Sequence, residues 1–403
     1  MAVAEDAGRR STRLLVLGAG PAQLGLLEAA RAHGVWTAVC DRDPAAPGLR
    51  LADRRCIVSI EDEPAVERLA GALELDGVIA PASDRAVAVA ARIAARLDLP
   101  HPLTPETAVL ATSRLRRRER LAEAGVPQPR WEVVTGDEPR LELPVVVKPP
   151  DGPGRHGLTP VRDPAELPAA FAAARAASRS GAVLVEELVE GPEVTVSGFA
   201  VDGELATLAV SDAVYDESAP FGIPTAHVWP SPHAGPAAEV ARRAVEALGI
   251  DHGPTHVRLR LSGGGPEVID VAPRLGDGHD AELVEAVTGV DLDRLALAAA
   301  LGEPLAPADV TGSYGERVGG AVTRFLAAAP GVLESVEAPE GLPGVVAVRI
   351  YHDPGFVFGP IRRPSDRAGA LLAVGATRDE AVARAEAAAE RIRFVTADAG
   401  ALV

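Results

Sequence analysis

Asp270 and Arg274 stand in Ile269-Asp270-Val271-Ala272-Pro273-Arg274-Leu275-Gly276-Asp277-Gly278, where an apolar run gives way to a glycine-rich turn. Alternation along an extended chain puts Asp270, Ala272 and Arg274 on one face, provided Pro273 leaves the run extended. An acid beside a guanidinium suits a metal-bound phosphate. Alone, the pair reads more readily as a surface salt bridge before a turn. Lys148 is the only lysine in a chain rich in arginine. A compact ammonium retained before a glycine-rich loop points to phosphate neutralisation. That loop, Asp151 to Gly157, holds Gly152, Gly154 and Gly157, whose backbone N–H groups can cover a phosphate. On its own it is also an ordinary flexible loop. Glu186-Glu187-Leu188-Val189 leaves a strand and exposes backbone groups able to read an adenine edge. Glu193 follows, placed to accept from ribose hydroxyls. A solvated acidic turn is the other reading of that segment.

The surrounding pattern supplies the elements that must hold these groups. Leu14–Leu17 is an apolar run ending in Gly18-Ala19-Gly20, with an amphipathic segment from Gln23 to Ala32 behind it. Strands at Thr37–Cys40 and Gly77–Ala80 and a helix at Ser83–Leu97 continue an alternation that predicts an open parallel sheet. Its crevice lies at the strand C-termini, near Gly18, Asp41 and Asp84. A basic helix, Ser113–Ala124, ends in Gly125-Val126-Pro127, a stop signal. Strands follow at Trp131–Val134, Val145–Lys148 and Val183–Val185. The spacing then predicts hairpins over Asp202-Gly203 and over Gly263-Gly264-Gly265. Helices are expected over Pro236–Leu248, His279–Val287 and Leu292–Leu301. Beyond about Gly312 short strands take over, at Ala321–Leu326, Val345–Tyr351 and Leu371–Val374, before a last helix, Arg378–Arg393.

Composition narrows the function. At 403 residues, two or three domains are expected. The chain is 47% apolar without a membrane-length run, and Met1–Arg10 lacks the apolar centre of a signal peptide, so a cytoplasmic protein without membrane contact is expected. Cys40 and Cys56 match no metal spacing. A net charge of −17 and 3% aromatics argue against nucleic-acid binding, apart from a local basic patch at Arg114–Arg120. Gly18, Gly20 and Gly25 fit a dinucleotide fingerprint only in part, because Gln23 stands where a third glycine belongs. Asp41 lies 21 residues beyond Gly20, as a ribose-binding acid would. A nicotinamide-dependent oxidoreductase is therefore one reading, and a merely tight turn is the other.

Taken together, Lys148-Pro149-Pro150-Asp151-Gly152-Pro153-Gly154, then Val185-Glu186-Glu187-Leu188-Val189-Glu190-Gly191-Pro192-Glu193, then Ile269-Asp270-Val271-Ala272-Pro273-Arg274-Leu275-Gly276 resemble the ATP-grasp superfamily in order and spacing. Pro330-Gly331 and Val374-Gly375-Ala376-Thr377-Arg378-Asp379-Glu380-Ala381 resemble its L-amino-acid ligase and biotin-carboxylase-like branch. The resemblance implies an ATP-grasp fold of mixed α/β and α+β class. It would have an open parallel pre-ATP-grasp domain over 1–110 and an ATP-grasp domain over 111–310, with a lid at about 130–187. An α+β domain over 311–403 would complete the substrate pocket. It also implies an ADP-forming carboxylate–amine ligase acting through an acylphosphate, with ATP and Mg²⁺, on a small carboxylic acid and an amine, and it allows a homodimer. Arg114 and Lys148 would meet nucleotide phosphates under the glycine loop. Glu186 and the backbone at Glu187 and Val189 would hold adenine, and Glu193 the ribose. Arg274 would neutralise the transferred phosphoryl group.

Several positions depart from the family pattern. Arg114 stands where lysine is usual, Arg258 where a metal-binding glutamate is usual, Asp270 where a second glutamate is usual, and Ala272 where asparagine is usual. Either one metal stays on Asp270, or Arg258 replaces a metal, or catalysis is altered or lost. His227, Asp277 and His279, together with Arg258, are the candidates for substrate contact. Two rivals remain within reach of the sequence: a carboxylase-like enzyme with another nucleophile, and a non-catalytic nucleotide-binding protein.

Overall fold

The computed structural model describes residues 10–136, 139–151, 157–216, 220–311 and 317–397. Near the N-terminus, Arg13–Leu17, Trp36–Asp41, Arg54–Ile57 and Gly77–Ile79 form a parallel sheet, with Arg13–Leu17 between Trp36–Asp41 and Gly77–Ile79. Leu14 through Leu17 are wholly buried, as a strand covered on both faces must be. The dinucleotide reading fails on the use of Asp41. One carboxylate oxygen accepts from the Ala19 N–H at 2.9 Å and the other from the Asp43 N–H at 2.9 Å. The acid staples the glycine turn, and the Gln23 side chain packs over Gly18 and Gly20.

A second, antiparallel sheet holds Trp131–Val134, Val183–Glu187, Val145–Lys148 and Thr159–Val161 in that order, backed by the helix Leu167–Ala177 through Phe171. Lys148 and Glu186 therefore sit on adjacent strands.

The largest sheet has eight antiparallel strands in the order Gly265–Ala272, Gly253–Ser262, Glu193–Val201, Glu204–Val214, Ala226–Trp229, Gly320–Leu326, Gly369–Gly375, Val345–Ile350. Glu193–Val201 is buried along its whole length. Val194 and Val196 face the core under the helix Ala234–Ala247, while Phe199 and Val201 face the one under Asp280–Thr288 and Leu292–Ala300. Glu193, Thr195 and Ser197 carry that second face toward the cavity described below, so one strand supplies core at one end and polar groups at the other. A small sheet of Val357–Phe358, Gly331–Glu337 and Arg393–Ala397 closes the chain.

Several elements go beyond the pattern-based reading or differ from it. The last helix is Arg378–Ala389, and Arg393 opens a strand paired with Gly331–Glu337. Phe394, Val395 and Thr396 favour that pleated setting over a fourth helical turn. Ala226–Trp229 is a strand. Pro105 begins a helix to Thr112, with the Thr104 hydroxyl accepting from the Thr107 N–H at 3.1 Å. Among the described residues no helix is long and apolar enough to cross a membrane.

Candidate active site

Helix Arg114–Glu123 presents Arg114, Arg117, Arg118 and Leu121 on one face, at the spacing that stacks side chains on adjacent turns. Leu121 anchors the helix in the core, and the three arginines reach across to the strands. Arg118, 1% exposed, grips Glu186 with Nε at 2.7 Å and Nη2 at 2.9 Å. Its Nη1 donates to the Val268 carbonyl at 2.6 Å. Lys148 Nζ lies 2.7 Å from the same carboxylate. Burial raises the Glu186 carboxyl, but Arg118 and Lys148 outweigh it and hold the group at about 2. Burial pushes Lys148 down to about 8, against the opposing pull of Glu186. One buried carboxylate thus holds two cations and leaves a positive excess at the cavity wall.

The second cluster lies on the large sheet. Arg260 is directly opposite Glu193 on the neighbouring strand, and Arg258 is two residues along on the same face. Arg258 donates to Glu193 Oε1 through Nε at 2.9 Å and Nη2 at 2.5 Å, and Arg260 Nε donates to Oε2 at 3.1 Å. Burial raises the Glu193 carboxyl, yet the two guanidiniums bring it below its ordinary range. A ribose at Glu193 shares that acid with two arginines. Arg258 also pairs in register with Asp270. Asp270 takes the Arg117 guanidinium, and despite burial Arg117, Arg258 and Arg274 drive its carboxyl well below the usual range.

Arg274 donates from Nε to Asp84 Oδ1 at 2.6 Å and from Nη1 to the Leu275 carbonyl at 2.8 Å. It therefore ties the strand end to the helix Asp84–Arg96 of the N-terminal sheet. Arg114 Nη1 donates to the Pro149 carbonyl at 2.8 Å. Asp151 anchors the start of the glycine loop, accepting from the Ser178 hydroxyl at 2.8 Å and the Arg179 and Ser180 N–H groups at 3.0 and 2.9 Å. Gly157, at φ +70°, lies against the helix Leu167–Ala177, where a Cβ would stand 2.8 Å from the Ala173 carbonyl. Gly152 and Gly154 lie outside the described residues.

These groups surround one cavity of about 570 Å³, whose wall includes Arg114, Lys148, Glu193, Arg258, Asp270 and Arg274. Glu186, Glu187, Val189 and Asp277 line it as well. The Glu187 N–H is spent on the Arg130 carbonyl at 2.9 Å, and the Val189 N–H donates to the Glu187 carbonyl at 3.1 Å. An adenine edge bound between those two groups must open that short contact.

A smaller chamber of about 50 Å³ shares Glu193, Arg258 and Asp277 with the cavity and adds His227, His256 and Arg367. His227 Nδ1 donates to Asp280 Oδ1 at 2.9 Å. Thr195 Oγ1 and His256 Nδ1 are buried there with no hydrogen-bond partner among the described residues, and Arg367 lies 3.5 Å over the Phe325 ring. Asp277, raised by burial but lowered more by Arg274 and His256, stays below its ordinary range. His279 lines neither space. Its Nδ1 donates to Glu282 at 3.1 Å, and its Nε2 accepts from the Tyr351 hydroxyl at 2.6 Å.

Arg117, Arg118 and Arg260 are the groups that motif reading passed over. The i, i+3, i+4 spacing on the basic helix and the two-residue alternation from Arg258 were the available signals.

Two family models match the chain. One, described as an ATP-grasp domain, covers residues 141–281. The other, described as L-amino acid ligase C-terminal domain 2, covers residues 324–397. The chain thus carries an ATP-grasp domain over residues 141–281 and, over residues 324–397, a segment similar to the C-terminal domain of L-amino acid ligases. An uncharacterized protein, y4rH, from Sinorhizobium fredii is 28% identical over 352 residues, 81% of this chain and 69% of that protein. The formate-dependent phosphoribosylglycinamide formyltransferase of Burkholderia cenocepacia is 28% identical over 427 residues, 96% of each. The fold is shared with the L-amino acid ligase of Bacillus licheniformis, at a TM-score of 0.81 and 23% identity over 97% of this chain and 100% of that one. It is also shared with the phosphoribosylglycinamide synthetase of Anaerococcus prevotii, at a TM-score of 0.78 and 21% identity over 96% and 100%.

Proposed function

We propose that this protein joins a small carboxylic acid to an amine at the expense of ATP, releasing ADP and phosphate. The observation that carries the reading is the convergence of Lys148, Arg114 and Arg274 on one cavity, with Glu186 fixing Lys148 from behind. A carboxylate oxygen of the acid attacks the γ-phosphorus, the bond to the ADP oxygen breaks, and an acylphosphate forms. The amine nitrogen then attacks the acyl carbon, loses a proton, and phosphate departs with the C–O electron pair. Phosphoryl transfer needs little covalent help, so the chain's part is positioning and charge. Lys148 and Arg114 hold nucleotide phosphates. Arg274 balances the charge on the group in flight. His227 and Asp277 line the side on which the acid and amine meet.

ATP brings Mg²⁺ with it, and Asp270 is the one carboxylate at the strand end suited to meet that ion, whose chemistry is to shield phosphate charge. A second, protein-held ion does not fit, because Arg258 and Ala272 offer no ligand there and Arg117 already pairs with Asp270. The working units we infer are 1–110, 111–310 with a lid at 130–187, and 311–403. The test is a matrix of acids and amines with ATP, reading ADP, AMP and phosphate. Substrate-dependent ADP with phosphate supports the ligase; AMP with pyrophosphate sinks it. Arg258 at a ligand position favours one other reading, a nucleotide-binding protein without catalysis, and silence across the panel with ATP still bound selects it.

A further inference from the structure

Arg258 occupies an unusual place. It stands across the strand pair from Asp270, and its guanidinium is fixed on Glu193 at 2.9 and 2.5 Å. Glu193 is almost fully buried, with its other oxygen on Arg260, so Arg258 has a rigid backing. The Arg258 side chain keeps 23% of its surface exposed and forms part of the wall of the nucleotide-sized cavity. Glu193 brings one negative charge to the cluster, and Arg258 with Arg260 brings two positive charges. Asp270 adds a negative charge that Arg117 balances. What faces the cavity from this part of the sheet is therefore a net fixed positive charge. Among the described residues no group of three or more His, Cys, Asp or Glu side chains is arranged to hold a metal ion. Ala272, the next residue inward on the Asp270 face, has no donor atom.

A divalent ion placed between these strands meets Arg258, Arg117 and Arg274 and gains one carboxylate. Arginine supplies positive charge in a planar fork that matches phosphate oxygens, is more weakly hydrated than an ammonium or a divalent ion, and stays charged at any working pH. We propose that the Arg258 guanidinium does the work of a protein-held cation at the phosphate end, so that the nucleotide complex carries a single divalent ion, the one that arrives with the nucleotide. This rests on the nucleotide reading above.

The test counts ions. Purified protein is equilibrated with Mn²⁺ and with ADP or a non-hydrolysable ATP analogue, and bound nucleotide and bound Mn²⁺ are measured per chain, the ion by its electron-spin signal. The expected result is equal amounts of the two, with no Mn²⁺ retained without nucleotide. R258Q removes the charge without adding a ligand; the count is expected to stay the same and nucleotide affinity to drop by roughly tenfold, as for one charge-assisted phosphate contact. R258E adds a carboxylate opposite Asp270 and is expected to bring in a second Mn²⁺. If that variant fails to fold because its new acid faces Glu193, the wild-type count and R258Q decide. A second Mn²⁺ on the wild-type complex overturns the proposal, as does an R258Q affinity equal to wild type. A wild-type protein that retains no nucleotide overturns it together with the nucleotide reading, a result distinct from nucleotide retained with two ions.

Discussion

Lys148 Nζ and Glu186 Oε2 lie 2.7 Å apart on neighbouring strands, both nearly closed off from water. The pair sets the charge state of the cavity. With burial holding Lys148 at about 8, its charge begins to fade just above neutrality. Nucleotide affinity is therefore expected to fall from about pH 7 to about pH 9, and binding above about pH 8 to take up protons, because a phosphate favours the ammonium. Calorimetry in two buffers of different ionisation enthalpy checks this. Lys148→Arg should flatten the profile, and Lys148→Ala should weaken nucleotide binding by roughly tenfold or more. Unaltered binding in the alanine variant removes Lys148 from the site.

Glu186 links the same cluster to stability. Its carboxyl is lowered from 4.5 to about 2 on folding. The stabilisation is fully present above the unfolded value and is lost as pH falls from about 4.5 through about 2, on the order of 3 kcal/mol. Glu186→Gln leaves Arg118 and Lys148 buried without their counter-charge. A loss of about 3–5 kcal/mol in urea unfolding near neutral pH is expected. A loss under about 1 kcal/mol contradicts the geometry described for this pair.

Arg274 bonds to Asp84, the first residue of the helix Asp84–Arg96, 190 positions away in sequence. Arg274→Ala should lower kcat by roughly 10²–10³-fold while nucleotide affinity moves little, since its charge is needed most when the phosphoryl group is in transit. Rapid-quench kinetics and equilibrium binding together separate the two. A pure KM effect would place Arg274 in ground-state binding instead.

Gly278 bounds the smaller chamber. A Cβ there would stand 2.5 Å from His227 Cε1 and 3.2 Å from Phe325 Cζ. Gly278→Ala is expected to displace His227 from Asp280, raising the acid or amine KM by roughly tenfold with nucleotide affinity preserved. Equal losses in both would show that the two spaces are not separable.

The groups that line the larger cavity were legible because their chemistry leaves local marks. Lys148 is alone of its kind, and the segments around Glu186 and Asp270 keep a readable order and spacing. What escaped notice was contact at a distance. Arg118 reaches Glu186 across 68 residues and Arg117 reaches Asp270 across 153, and no local pattern encodes either. His279 looked like a pocket residue by its place after a glycine turn, but Tyr351, contributed by the last third of the chain, claims its ring. Arg393 continued the periodicity of its helix and became strand because Gly331–Glu337 offers a partner edge. The parallel sheet, by contrast, was visible as short, wholly apolar runs, a signature that burial on both faces imposes.

The order of the eight-stranded sheet has a consequence for how the protein is made. Gly320–Leu326 and Gly369–Gly375 extend a sheet begun at Glu193, and Arg378 then binds back to the Val228 carbonyl at 3.0 Å and to Asp212 at 2.5 Å. While the ribosome is translating the ninety or so residues that separate Ala226–Trp229 from its partner Gly320–Leu326, the earlier strand has an open edge. Nascent chains emerge at about 5–20 residues per second, so that edge waits several seconds for its neighbour. The sheet is finished only once Gly369–Gly375 has been made, which makes termination ahead of that strand costly to residues synthesised long before.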